Sequence, residues 1–200
     1  MLEVYFLRHG QTQFNAMGNR YCGRTDVELT ELGISQARSV AAQVKDIRFD
    51  AIFASPLQRA YNTAQLASGN GTVLKEPRLI EVDFGEWEGL RRDEFIIKDP
   101  AAWENWDSDP GSFPAGRTGE TAMEVIKRVD AFFMDALQQY PDGRIMVVAH
   151  NGVNRLYLAW KLGMPLKNYR QLVQDNSTIT VFELDEQTAV LTLKKLNGQR

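Results

Sequence analysis

The apolar positions of this chain follow two periods. Three short unbroken runs, "EVYFL" (3–7), "DAIFA" (50–54) and "RIMVVA" (144–149), read as strands buried on both faces. Between them, apolar residues recur every three or four positions, as they do on one face of a helix. "LTELGISQARSVAAQVKD" (29–46) predicts a helix with Thr30 as its N-cap. After the second run, "SP" (55–56) predicts a helix capped by Ser55, with Pro56 in its first turn, running to about Ala67. "GNG" (69–71) ends that unit, and "TVLKEPRL" (72–79) predicts a further short strand. The longest amphipathic helix is expected over 120–140, and another over 151–163, closed by Gly163. "TITVFELD" and "AVLTLKKL" alternate as an antiparallel pair about the turn "EQT".

Strands alternating with helices of this length predict an α/β fold. The expected architecture is a three-layer α/β/α sandwich, with a mainly parallel sheet and an antiparallel edge. No repeat or linker interrupts the pattern, so residues 1–200 are expected to form one domain. Residues 81–121, where Pro, Gly and Trp mix with charges, read as an irregular insertion covering the substrate.

In sheets of this kind, ligands bind beyond the carboxyl ends of the strands. The first run ends at Arg8-His9-Gly10 and the third at His150-Asn151-Gly152. The second ends at Ser55-Pro56, with Arg59 one turn into the following helix. His9 and His150 are the only two histidines of the chain, and both fall on this one edge.

Composition narrows the classes. A net charge of −3 argues against a broad nucleic-acid surface and leaves room for a local basic pocket. One cysteine makes no internal disulfide, and no apolar run approaches the ~20 residues of a membrane span. Without a signal-peptide pattern, the expected location is the cytoplasm. Two histidines and one cysteine are too few for a His- or Cys-based metal centre, so no metal and no cofactor are expected. Walker-A, GxGxxG and GxSxG patterns are absent.

Arg8, Arg59 and an open helix N-terminus after His150 would trap an anion, and a small phosphate monoester is the natural guest. Histidine can itself be the nucleophile if one ring nitrogen is unprotonated and the other gives its proton to a backbone carbonyl. Neighbouring arginines favour that neutral ring. Gly10 would let the chain turn sharply and bring the phosphate close. The leaving oxygen needs an acid, and "RLIEVDFGEWEG" (78–89) offers Glu81, Asp83, Glu86 and Glu88 without a local reason to choose among them.

Together, "LRHGQTQFN", "SPLQRAYNTA", "RLIEVDFGEWEG" and "VVAHNG" resemble the histidine phosphatase superfamily, the phosphoglycerate-mutase-like group, from residue 4 to about 155. The resemblance implies His9 as the nucleophile that becomes phosphohistidine. It implies Arg8, Arg59, His150 and Asn15 as the phosphate pocket. It implies Glu81 as the proton donor, returning as base when water attacks. Cys22 and Gly23, expected to bind substrate, lie in "RYCGRTDVELT", and a "YCGxTD" form is similar to α-ribazole phosphatase-like members. Asn151 stands where many members have Gly, and its backbone N–H can still serve the substrate. "EVDFGEWEG" and a length of 200 residues look like the phosphatase branch. Longer cofactor-dependent phosphoglycerate mutases, with E-R-x-Y-G-x-L-x-G, are the alternative; a phosphate-binding module of little activity is the alternative of another class. Arg20 or Arg24 is a candidate for a second acidic group of the substrate. Trp87, Trp103 and Trp106 are candidates for packing or for shaping the leaving-group pocket. No nucleic-acid or membrane partner is expected, and the chain is expected to be a monomer or a homodimer through its terminal strand pair.

Overall fold

A computed structural model describes residues 1–198. Six strands form one sheet: β1 (Leu2–Arg8), β2 (Ala51–Ala54), β3 (Leu74–Lys75), β4 (Arg144–Ala149), β5 (Ile179–Leu184) and β6 (Leu191–Gly198). Their order is β3-β2-β4-β1-β5-β6. The β1–β4, β2–β4 and β2–β3 pairs are parallel, and β5 and β6 add the antiparallel edge. The helices are α1 (Gln13–Ala16), α2 (Glu31–Val44), α3 (Gln58–Ala67), α4 (Arg92–Lys98), α5 (Pro100–Ser108), α6 (Ala122–Gln139) and α7 (Asn151–Lys161). Among the described residues, no helix is long and apolar enough to cross a membrane.

The sandwich follows from the two-residue period of the strands. Along β4, Ile145, Val147 and Ala149 pack with residues of α6 and α7, while Met146 and Val148 pack with residues of α2 and α3. Helix α6 buries Val125, Ile126, Val129, Phe132, Phe133 and Leu137 along one stripe. Phe133 meets Phe6 edge-on at 5.5 Å and stacks on Tyr157 at 4.7 Å. Burial of such a ring contributes about 1.5–3 kcal/mol. Thr121 and Glu124 close a capping box at the start of α6, with N–H bonds of 3.2 and 2.8 Å.

Thr30 caps α2 as expected, its hydroxyl accepting the Gly33 N–H at 3.1 Å. Ser55 does not cap α3. The helix starts at Gln58, and Leu57 occupies the cap position without a side-chain bond. Asp26, thirty-two residues away, accepts the Gln58 N–H at 2.9 Å. Ser55 directly follows β2 and still bonds to β4, its N–H donating to the Val148 carbonyl at 3.0 Å.

The stretch 81–118 holds two helices that apolar periodicity does not reveal. Asp99 caps α5 through the Ala102 N–H at 3.2 Å, with Pro100 as the first helical residue. Trp87 stacks on Phe95 at 4.6 Å and meets Trp106 edge-on at 6.1 Å. With Trp103 they join the larger core, so the three tryptophans hold this segment down.

Candidate active site

Three parallel strands end at one place. His9 follows β1 and keeps its register, donating its N–H to Ala149 at 3.1 Å. His150 follows β4, and the two imidazole rings lie 5.2 Å apart. The His9 ring is 4% exposed. Its Nδ1 lies 2.7 Å from the carbonyl oxygen of Gly10. A carbonyl only accepts, so Nδ1 carries the proton and Nε2 the lone pair. Burial, then Arg59, then Arg8 push the His9 pKa well below 6.5. Burial and Arg59 do the same to His150. Both rings are therefore neutral at pH 7.

Ser55 governs the second ring. Its buried hydroxyl lies 2.8 Å from His150 Nε2 and accepts the Leu57 N–H at 3.4 Å. Among the described residues the hydroxyl hydrogen has no other acceptor, and an unprotonated Nε2 can accept it. The proton of His150 then sits on Nδ1, which has no protein partner.

Arg59 is fully buried and donates to the carbonyls of Thr25 at 2.8 Å and Gly23 at 2.7 Å. Arg8 donates to the Gln174 carbonyl at 2.7 Å; burial and then Arg155 lower its pKa to about 10, so it stays charged. The Nε of each has no protein partner, and among the described residues neither arginine pairs with a carboxylate. One fully buried and one half-buried cation without an acid form an anion site, because charge withdrawn from water and left uncompensated is otherwise expensive.

The N-terminus of α7 is not open. Glu81 occupies it, Oε2 accepting from the N–H of Gly152 at 3.2 Å and Oε1 from Val153 at 3.1 Å. The Val82 N–H adds a third bond to Oε1 at 2.9 Å. A helix end that the sequence offers to the ligand instead fixes this carboxylate. Geometry also separates Glu81 from its neighbours. Asp83 accepts the Gly85 N–H at 2.9 Å, and Glu88 holds the loop at Arg24 and Thr25 through bonds of 2.7–3.0 Å. Glu86 borders a separate depression beside Lys98 and Arg117.

A cleft of about 290 Å³ opens over these groups. Arg8, His9, Asn15, Cys22, Glu81 and Asn151 line it, while Arg59 and His150 lie buried behind its walls. Asn15 Oδ1 accepts from Thr12 N and Oγ1, both at 3.1 Å, and from Asn176 Nδ2 at 3.3 Å. That leaves its NH₂ as the group offered to the cleft. Gly23 does not line the cleft; its carbonyl holds Arg59, and its φ of +49° suits glycine. Cys22 donates weakly to Thr25 O at 3.3 Å, and burial pushes its thiol up to about 11, so no thiolate competes with His9. Among the described residues, no three His, Cys, Asp or Glu side chains gather as a metal site.

Gly10 has a role other than a sharp turn. Its φ is outside the left-handed region, and a Cβ there would lie 2.5 Å from the Gly33 carbonyl oxygen. Gly10 and Gly33 let the loop after β1 lie directly on the first turn of α2. Arg20 and Arg24 are already paired, with Glu94 at 2.9 Å and Glu120 at 3.1 Å. Four contributors escape the sequence reading: Ser55 as partner of His150, Gln174 as anchor of Arg8, Asn176, which also donates to the His9 carbonyl at 2.9 Å, and Arg155. Arg155 had a usable signal: it lies four residues after Asn151 on α7 and bonds the Asn151 carbonyl at 3.1 Å.

The family model for the histidine phosphatase superfamily (branch 1) matches residues 4–197. Phosphoserine phosphatase 1 of Hydrogenobacter thermophilus is 31% identical over 199 residues, covering 98% of this chain and 92% of that one. Adenosylcobalamin/alpha-ribazole phosphatase of Escherichia coli is 29% identical, covering 99% and 97%. The crystal structure of phosphoserine phosphatase from Entamoeba histolytica in complex with 3-phosphoglyceric acid superposes with a TM-score of 0.90 at 30% identity, covering 100% and 98%. The chain belongs to the histidine phosphatase superfamily, branch 1.

Proposed function

We propose that this chain hydrolyses small phosphate monoesters through a phosphohistidine on His9, with Glu81 as general acid and then general base, and without a metal ion. One observation carries the reading: His9 is a neutral imidazole with its Nδ1 proton held by the Gly10 carbonyl, between the buried Arg59 and the half-buried Arg8, neither of which has an acid partner. In the first step, the Nε2 lone pair forms a bond to phosphorus and the ester P–O bond breaks. The departing oxygen takes a proton from Glu81. Arg8, Arg59, the Asn15 amide and the His150 Nδ1–H stabilise the phosphoryl oxygens, which carry the transition-state charge. In the second step, water attacks phosphorus, Glu81 accepts its proton, and the N–P bond breaks to release phosphate and neutral His9.

Most of the relatives are named as phosphatases, which supports hydrolysis, while one at 32% identity is named as a probable phosphoglycerate mutase, so the two activities are separated by assay. Purified protein should hydrolyse p-nitrophenyl phosphate in EDTA, and His9→Ala should abolish that activity and the acid-labile, alkali-stable phosphoryl group trapped on the parent. Unchanged activity in His9→Ala refutes the mechanism. Interconversion of 3- and 2-phosphoglycerate with bisphosphoglycerate, faster than hydrolysis, would reassign the chain as a mutase.

A further inference from the structure

We infer that the Tyr21–Tyr169 wall of the cleft binds a carboxylate on the substrate's leaving group, and that Arg155 is the residue that reads it. This deepens the phosphatase reading of the same site and rests on it.

Arg155 lines the cleft together with Tyr21 and Tyr169. Its Nε is held by the Asn151 carbonyl at 3.1 Å, and its guanidinium lies 5.2 Å from the centre of the Tyr169 ring. Among the described residues, its two terminal nitrogens have no hydrogen-bond partner and it makes no ion pair. Two neighbouring arginines differ. Arg20 is paired with Glu94 at 2.9 Å, and Arg170 is paired with Asp107 and donates to the Tyr169 hydroxyl at 2.9 Å. Glu81, the acid nearest in charge terms, already accepts three backbone N–H bonds. Burial, its largest influence, lowers the Arg155 pKa, which marks a cation poorly served by water.

The guest is defined by what this cation lacks. A guanidinium with both terminal nitrogens free matches the two oxygens of one carboxylate. A second phosphate would ask for more than one cation, and Arg20 is committed to Glu94. The cleft, at about 290 Å³, lies at the lower end of ligand pockets, so the leaving group is small. The fitting class is the phosphate ester of a short hydroxy acid.

Two substrate pairs isolate the carboxylate. O-phosphoserine and O-phosphoethanolamine differ by that group, as do 3-phosphoglycerate and glycerol 3-phosphate at the corresponding end. The readout is the ratio of kcat/KM within each pair. A charge-assisted bidentate contact predicts a ratio of about 10- to 100-fold in the parent. In Arg155→Gln it should fall to within about threefold of one, and Arg155→Lys, which keeps charge without the fork, should lie between. A ratio rather than a rate is unaffected by a variant that folds less completely. A parent that does not discriminate, or an Arg155→Gln variant that keeps the parent's ratio, overturns the inference. Either result, with p-nitrophenyl phosphate still hydrolysed through His9, would leave the phosphohistidine reading standing. Loss of His9-dependent turnover altogether would remove that reading instead.

Discussion

Replacing Gly33 with alanine should slow hydrolysis of p-nitrophenyl phosphate by about 100-fold, although residue 33 contributes nothing to the cleft. Gly33 sits in the first turn of α2. A Cβ there would run into the Gln11 carbonyl oxygen, with the Gln11 nitrogen at 2.8 Å. Ordinary contact begins near 3.4 Å, so the nitrogen must retreat by about 0.6 Å and the oxygen by more. Gln11 follows Gly10, whose carbonyl fixes the His9 ring at 2.7 Å. A displacement approaching 1 Å of a reacting group costs about 10²-fold in rate. Stability should suffer much less. Overpacking costs about 1–3 kcal/mol, while alanine in a helix returns about 1 kcal/mol relative to glycine. The net loss of about 0–2 kcal/mol lowers the melting temperature of a chain this long by at most about 8 °C. Position 33 has no left-handed φ, so alanine adds no backbone strain. Kinetics at 25 °C and thermal unfolding, measured on parent, Gly33→Ala and Gly10→Ala, test this. A Gly33→Ala enzyme within threefold of the parent kcat would show that this contact does not hold His9 in place.

Glu81→Gln should reduce kcat by about 10²–10³-fold on alkyl phosphates and much less on p-nitrophenyl phosphate, whose phenolate leaves without help; equal losses on both would count against the acid role. Ser55→Ala should cost about 1–3 kcal/mol in urea unfolding and release the His150 tautomer. With only two histidines in the chain, ¹⁵N spectra should show both as Nδ1–H in the parent and His150 altered in the variant, and an unchanged His150 pattern would contradict the Ser55 assignment. Both histidines hold folded pKa values well below 6.5. As pH falls, the unfolded chain takes up protons that the folded chain refuses, so stability declines below about pH 6.5. Each histidine should contribute a loss of at most about 1.2 kcal/mol between pH 7.0 and 5.5, reached when the folded ring takes up no proton in that window. Urea unfolding at the two pH values, with His9→Gln removing about half the histidine contribution, checks it; an identical decline in both proteins would refute it.

The sheet was legible because β1, β2 and β4 are continuous apolar runs, and a central strand covered on both faces leaves no other reading. The convergence of His9, His150 and Arg59 followed from where those runs stop. Long-range pairing was not legible. Ser55 carries the residue type of a helix cap, yet Asp26 performs that task and frees Ser55 for His150. The α7 terminus looks like an anion site, and becomes the seat of Glu81, a residue seventy positions earlier whose approach no local pattern records. Gly10 announces a close contact without naming its partner, which is Gly33 on the next helix. Helices α4 and α5 are short and anchored by Trp87, Phe95, Trp103 and Trp106, so contacts across the segment replace periodicity along it.

Arg59 grips the loop at residues 23–25 through the carbonyl oxygens of Gly23 and Thr25, never through a side chain. Carbonyls are common to every amino acid. The cation that the phosphate chemistry needs is therefore fastened to features that mutation of the neighbouring side chains leaves in place. Cys22 can be exchanged, and the rim of the cleft recontoured, while the guanidinium keeps its bearing. A scaffold built this way separates inheritance of the reaction from inheritance of the substrate, and new leaving groups become accessible by changes at the rim alone.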